Sequence, residues 1–357
     1  MNRRAFLAAT GGALLLAGPA RADGFADAFD GLQAKGRLGG IHGVVALRHG
    51  DILFERYMAG RDEAWGRPLG EVGFDPDTLH DLRSVTKSIV GLLYGIALDQ
   101  GKVPAPGQPL MAQFPEYPDL AKDPARQGLT IAHALTMTLG TEWDETGPYN
   151  DARNSEIAME MAKDRYRFVL DRPVIAPPGH GWIYSGGAVA LLARLIEKGT
   201  GGKISAFARS ALFEPLGIAK FEWAAGDDGV ESAASGLRLT PRDLARVGQM
   251  VLMKGRWQGR AVVPPAWLEQ SFRRAAMADD GRYYGYLWYV GEMSVIRRGG
   301  VYGEPWVGCF GLGGQRLFVF PNLDFVLAVT AGNYDKPDQW VAPIRILRDV
   351  FLPNLAV

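Results

Sequence analysis

The chain has 357 residues, 47% hydrophobic and 22% charged, with 39 basic against 39 acidic side chains. That is ample apolar material for a large core, while a formal charge of zero excludes the basic footprint of a nucleic-acid binder and offers an acidic membrane surface nothing to attract. With 46 glycines and 22 prolines the chain turns often, which suits a loop-rich enzyme better than a helical bundle.

The N-terminus reads as an export signal. Arg3-Arg4 precedes Ala5-Phe6-Leu7 and a weakly apolar run to Ala17, and Ala20-Arg21-Ala22 puts small residues where a signal peptidase reads them. Residues 1–22 are therefore set apart, with cleavage after Ala22. Asn2 to Leu7 matches a twin-arginine motif; the alternative is a plain secretory signal whose arginines are only its charged start. The run is too short and glycine-rich for a span of about 20 residues. No later stretch is longer, so the mature protein is expected to be periplasmic, without a membrane span. A single cysteine, Cys309, excludes an internal disulfide. His42, His49, His80, His133 and His180 are scattered, so neither a metal nor another cofactor is expected.

Ile41 to Arg48 and Ile52 to Tyr57 flank a His49-Gly50-Asp51 turn and predict a β-hairpin. Ala59 to about Leu79 is rich in Gly, Pro and Asp and reads as loop. A helix opens near Ser84 and stops at Gly101. Short helices are expected over 130–138 and 154–168, then a buried one over Ala188 to Ile196 and another over Ile204 to Leu212. Thr240-Pro241-Arg242-Asp243 opens a further helix with Thr as cap and Pro in first position. Trp267 to Arg274 adds a short one. Tyr283 to Val290, Gln315 to Phe320 and Phe325 to Val329 are aromatic and β-branched, hence strands; Val341 to Phe351 closes as helix. Strands at both ends around a helical middle give an α+β fold: one antiparallel sheet built from both termini, flanking helices and an inserted helical lobe. The expected division is an α/β lobe over 23–80 and 280–357 and a mainly helical lobe over 81–279.

Ser84-Val85-Thr86-Lys87 puts a hydroxyl and an amine on one helix face, about 5–6 Å apart at Cβ. An amine that close can take a hydroxyl proton and make a nucleophile. Taken alone, the tetrapeptide is equally a helix start with Ser84 as cap and Lys87 as an exposed charge. Two further stretches stand out: Tyr184-Ser185-Gly186, and Gly308-Cys309-Phe310-Gly311-Leu312-Gly313-Gly314-Gln315. In this order and spacing the three resemble the serine β-lactamase and penicillin-binding-protein superfamily, closest to its class C-like branch of esterases, amidases and 6-aminohexanoate-dimer hydrolases. The resemblance covers nearly the whole mature chain.

That resemblance implies a β-lactamase/transpeptidase-like fold and a set of roles. Ser84 would be acylated, Lys87 would be its base, and Tyr184 would relay a proton to the leaving group, its phenol kept reactive by the neighbouring ammonium. Leu312, Gly313 and Gly314 would lie on an edge strand beside the substrate, with the backbone N–H groups of Ser84 and Gln315 as oxyanion hole. Two departures bear on substrate. Relatives that act on β-lactams or peptidoglycan carry Lys-Thr-Gly or a close variant on that strand, where this chain has Leu312-Gly313-Gly314. Their second motif ends in Asn, where this chain has Gly186. Arg316 could supply a cation, but strand alternation points it away from Gln315. The expected reaction is hydrolysis of a small ester or amide, with poor β-lactam turnover. The alternatives are a peptidoglycan-related D-amino peptidase, a penicillin-binding or β-lactamase-type enzyme, or a silent binding protein on the same scaffold. Trp143, Asp144 and Glu145 read as solvent-facing loop.

Overall fold

The computed structural model describes residues 20–297, 300–334 and 336–355. The twin-arginine stretch and most of the 1–22 segment lie outside them. Helix α1 (Ala20–Ala34) leads into β1 (Ile41–Arg48) and β2 (Asp51–Tyr57), the expected hairpin. The segment read as loop instead forms a second hairpin, β3 (Gly60–Ala64) and β4 (Arg67–Val72). Its strands carry Arg61, Asp62, Glu63, Pro68 and Glu71, with no apolar alternation to give them away. Trp65 and Gly66, both at positive φ, close the turn.

Strand β5 (His80–Asp81) then delivers the chain to α2 (Val85–Asp99). Short helices α3 (Pro118–Ala121), α4 (Ile131–Leu135), α5 (Ser155–Glu160) and α6 (Arg165–Leu170) follow, before the long α7 (Gly186–Thr200) and short α8 (Ile204–Ala208). In a small sheet, β7 (Leu237–Leu239) lies between β5 and β6 (Glu222–Trp223) and pairs with both. Helix α9 (Pro241–Leu252) is capped by the Thr240 side chain, which accepts from Asp243 N at 3.1 Å. A minor hairpin, β8 (Arg256–Trp257) and β9 (Arg260–Ala261), and α10 (Pro265–Ser271) lead to the last strands: β10 (Ala276–Met277), β11 (Tyr283–Tyr284), β12 (Tyr289–Arg297), β13 (Gly300–Gly311), β14 (Gln315–Phe320) and β15 (Phe325–Ala331). Helix α11 (Val341–Arg345) runs through a π-helical stretch into α12 (Leu352–Leu355). The single strand expected over 283–290 is broken at Leu287, whose φ of 60° an extended chain cannot hold.

The main sheet has eight antiparallel strands in the order β10-β11-β12-β13-β14-β15-β1-β2, so both chain ends build it, as expected. Helices cover both faces, and β1 reads accordingly as an almost unbroken apolar run. Val45 and Leu47 face one core while Val44 and Ala46 face the other. On one side α1 and the C-terminal helices pack Phe25, Phe29 and Phe351 against Phe318 and Phe325. On the other side α2 and α9 meet the sheet, and α7 packs against α2. Helix α2 is buried without interruption from Val85 through Ala97, the pattern of a helix enclosed by packing all round. This central helix fixes the position of Ser84.

Candidate active site

Ser84 sits at the N-terminus of α2 but does not cap it, since its side chain makes no capping hydrogen bond. Lys87 is not an exposed first-turn charge either; it is 1% exposed. The cap reading therefore fails on both residues. The residue before the serine, Arg83, has a φ of 49°, a costly conformation for a side chain of this size. Its surroundings over-determine it: ion pairs to Glu63 and, at 3.3 Å, to Asp81, and its guanidinium 5.2 Å from the Tyr334 ring centre. Ser84 is thus held half-exposed at the positive end of α2, where developing negative charge is favoured.

Lys87 Nζ has three acceptors. Ser84 Oγ lies at 3.1 Å, the Ala234 carbonyl at 3.1 Å and Glu156 Oε2 at 3.3 Å. Tyr184, just before α7, lays its ring 4.8 Å from the same nitrogen, with its phenol beside Ser84. The serine, lysine and tyrosine picked out from the sequence therefore converge. One expectation is corrected. Burial raises the Tyr184 phenol well above its ordinary pKa, with Tyr289 and Glu145 adding to the rise. At ordinary pH the Tyr184 phenol is therefore neutral.

The glycine-rich stretch is also placed differently. Leu312, Gly313 and Gly314 form the turn between β13 and β14, not an edge strand. Strand β12 covers β13 only as far as Tyr289 opposite Gly308, so Cys309, Phe310 and Gly311 run past it with that side unpaired. There the sheet touches the loop that leads to Ser84: a Cβ on Gly311 would lie 2.3 Å from Leu82 O. Gln315 is fully buried. Its side chain donates to Leu312 O at 3.1 Å and to Ala331 O, and accepts from Ala331 N at 3.0 Å, while its backbone pairs with Gly311. It is kept out of the cleft, whereas Leu312 is half-exposed at the cleft end of β13. The turn needs glycine: Gly313 and Gly314 have φ of 88° and 103°, and a Cβ on Gly313 would come within 2.6 Å of the Tyr334 ring. Arg316 is buried and spends Nη1 on the Gly311 and Gln315 carbonyls at 3.0 and 2.7 Å; burial, with Arg282 nearby, lowers its pKa to about 10.

Two carboxyl groups that the sequence left unassigned complete the site. Glu156, on α5, accepts from Ser235 Oγ at 2.7 Å as well as from Lys87. Glu145 accepts from Trp143 Nε1 at 2.6 Å, from Gly186 N, and from Tyr149 OH at 3.0 Å. Within the Trp143–Glu145 segment Asp144 faces solvent as expected, but Trp143 is buried against α7, and Glu145 meets Glu156 at Gly186, whose N–H it accepts and whose missing Cβ leaves room for Glu156 Oε2. Burial drives the Glu145 carboxyl up to about 7, and the Glu156 charge pushes the same way. Glu156 goes the other way, to below its ordinary value: burial opposes the drop, but Lys87 and the hydrogen bonds from Ser235 and Glu145 outweigh it. One proton between two carboxyls, with Glu156 ionised, fits these directions.

Among the described residues, His42, Asp62 and His80 form a buried group whose ligand atoms lie within 4.8 Å of one another and could hold a metal ion. Hydrogen bonds already account for its geometry. His80 Nδ1 donates to Asp81 O at 2.9 Å, which leaves Nε2 to accept from His42 Nδ1 at 2.9 Å, and Tyr334 donates to Asp62 at 2.8 Å. Burial lowers both imidazoles, His42 to about 4, so they stay neutral at ordinary pH.

Comparison with known proteins agrees with this geometry. The chain is 27% identical over 315 residues to 6-aminohexanoate-dimer hydrolase of Paenarthrobacter ureafaciens, covering 82% of this chain and 73% of that one. It is 31% identical over 197 residues to esterase EstB of Burkholderia gladioli, covering 53% and 48%. The fold superposes on EstCE1, a hydrolase with promiscuous acyltransferase activity, with a TM-score of 0.71 at 16% identity, over 92% of this chain and 99% of that one. A family model described as Beta-lactamase matches residues 25–347, and the chain belongs to that family.

Proposed function

We propose that the protein is a serine hydrolase that cleaves a small ester or amide through an acyl-enzyme on Ser84. The observation that carries this reading is the meeting of Ser84 Oγ, Lys87 Nζ and the Tyr184 phenol beside the unpaired end of β13. A protein that only binds has no need of all three. The relatives named as a hydrolase and an esterase support the same class. Ser84 Oγ attacks the acyl carbon as Lys87 takes its proton. The resulting oxyanion is stabilised by Ser84 N, at the end of α2, and by a backbone N–H of the unpaired Cys309–Gly311 edge. Tyr184, neutral, gives its proton to the departing alcohol or amine and is reprotonated from Lys87. Water then repeats the sequence on the acyl-enzyme. Residues 1–22 support a periplasmic setting.

The chain lacks the strand lysine and hydroxyl and the motif asparagine that hold a β-lactam. Each lost charge-assisted hydrogen bond is worth about 1.5–3 kcal/mol, roughly ten- to a hundredfold in recognition. A panel of p-nitrophenyl esters, short amides and nitrocefin tests the preference. The expected result is a kcat/KM for short-chain esters at least about a hundredfold above that for nitrocefin. Nitrocefin turnover equal to the ester rate would overturn it and favour the cell-wall alternatives.

A further inference from the structure

One lysine needs one counter-charge, yet the protein buries two carboxyls behind Lys87. Glu156 reaches Nζ directly, and Glu145 stands behind it, tied to Trp143, Tyr149 and the Gly186 amide. Gly186 has no Cβ, and that absence is what admits Glu156. A Cβ at Gly186 would lie 2.6 Å from Glu156 Oε2 and 3.0 Å from Ala234 Cβ. The carboxylate therefore occupies space a motif side chain would fill, and it takes the contact to Lys87 from there.

We propose that Glu156, supported by a proton shared from Glu145, is the positioning residue for Lys87 and the store for the proton that Ser84 gives up. This rests on the serine-hydrolase reading. When Ser84 Oγ bonds to the acyl carbon, the carbonyl π pair moves to oxygen. The Oγ proton passes to Lys87 Nζ as Nζ releases one of its own to Glu156 Oε2, and the lysine's proton count does not change. When the carbonyl reforms and the bond to the leaving group breaks, Tyr184 protonates the leaving group. Lys87 reprotonates Tyr184, and Glu156 returns its proton to Lys87. Glu145 keeps the store in place: as a donor to Glu156 it prevents two adjacent buried negative charges. The other groups facing the pair are Arg83, Tyr149, Tyr184 and Glu160. The phenols stay neutral; Arg83 is ion-paired to Glu63, and Glu160 to Arg165, although burial and the Glu156 charge raise the Glu160 carboxyl.

The test is kcat/KM against pH for p-nitrophenyl acetate, with the rate of fluorophosphonate labelling at Ser84, for wild type, Glu156→Gln, Glu156→Asp and Glu145→Gln. Glu156→Gln keeps the shape but cannot store a proton. It is expected to lower kcat/KM and the labelling rate about a hundredfold with KM little changed, and Glu156→Asp to recover part of that. Wild type is expected to lose activity as pH rises through neutral, where Glu145 ionises and the shared proton is lost. Glu145→Gln carries a permanent N–H donor and should remove that fall. Should Glu156→Gln fail to fold, the Glu156→Asp rates and the Glu145→Gln profile decide. Wild type that labels normally while Glu156→Gln stays within threefold of it, or Glu145→Gln with the wild-type pH fall intact, overturns the proposal and leaves the hydrolase reading standing. Absence of labelling in folded wild type overturns both.

Discussion

Replacing Lys87 with methionine is expected to lower turnover by about a thousandfold and destabilise the fold by about 3–5 kcal/mol. The activity loss follows from position: Nζ is the group within reach of both the Ser84 hydroxyl and a carboxylate. The stability loss follows from burial. Lys87 and Glu156 are 1% and 2% exposed, so removing the ammonium leaves the buried Glu156 carboxylate without its cation and the Ala234 carbonyl without its donor. An unpaired buried charge costs far more than the pair contributes. The double variant Lys87→Met/Glu156→Gln removes both charges and should regain most of the stability while staying inactive. Denaturant unfolding of the three variants checks this. A single variant within about 1 kcal/mol of wild type, or a double variant no more stable than the single, would show that the pair is not a desolvated ion pair.

Gly95→Ala should destabilise the protein by about 1–3 kcal/mol, although helix propensity alone argues for a gain of nearly 1 kcal/mol. Gly95 lies in the middle of α2, and a Cβ there would sit 2.1 Å from Trp267 Cδ1. That indole cannot easily move aside. It stacks on Tyr94 with ring centres 5.8 Å apart, and its Nε1 donates to Gly91 O at 2.9 Å. The glycine therefore exists for the tryptophan. A lower denaturation midpoint at unchanged m is the expected signature; a higher midpoint would mean that the α2–α10 contact yields at little cost.

Local pattern made parts of this protein readable in advance. Ser84 and Lys87 are three apart on a helix, and the β1–β2 hairpin carries its own turn signal, so each could be found within a short window. The aromatic C-terminal strands announced the sheet for the same reason. What escaped depends on register and convergence. Glu145 and Glu156 look like ordinary polar loop and helix residues until the fold closes them over Lys87, far away in the chain. The glycine-rich stretch was recognised, yet only the β12–β13 register reveals that its unpaired edge is Cys309–Gly311 and that Gln315 faces inward. The small residue at Gly186 was visible as a departure; that a distant carboxylate fills the space was not.

Intact-mass and peptide mapping after fluorophosphonate treatment bears most directly on the proposed chemistry. A single adduct on the peptide containing Ser84, absent in folded Ser84→Ala, is the predicted result. A wild-type protein that stays unmodified, or an adduct that persists undiminished in Ser84→Ala, would contradict Ser84 as the acylated nucleophile.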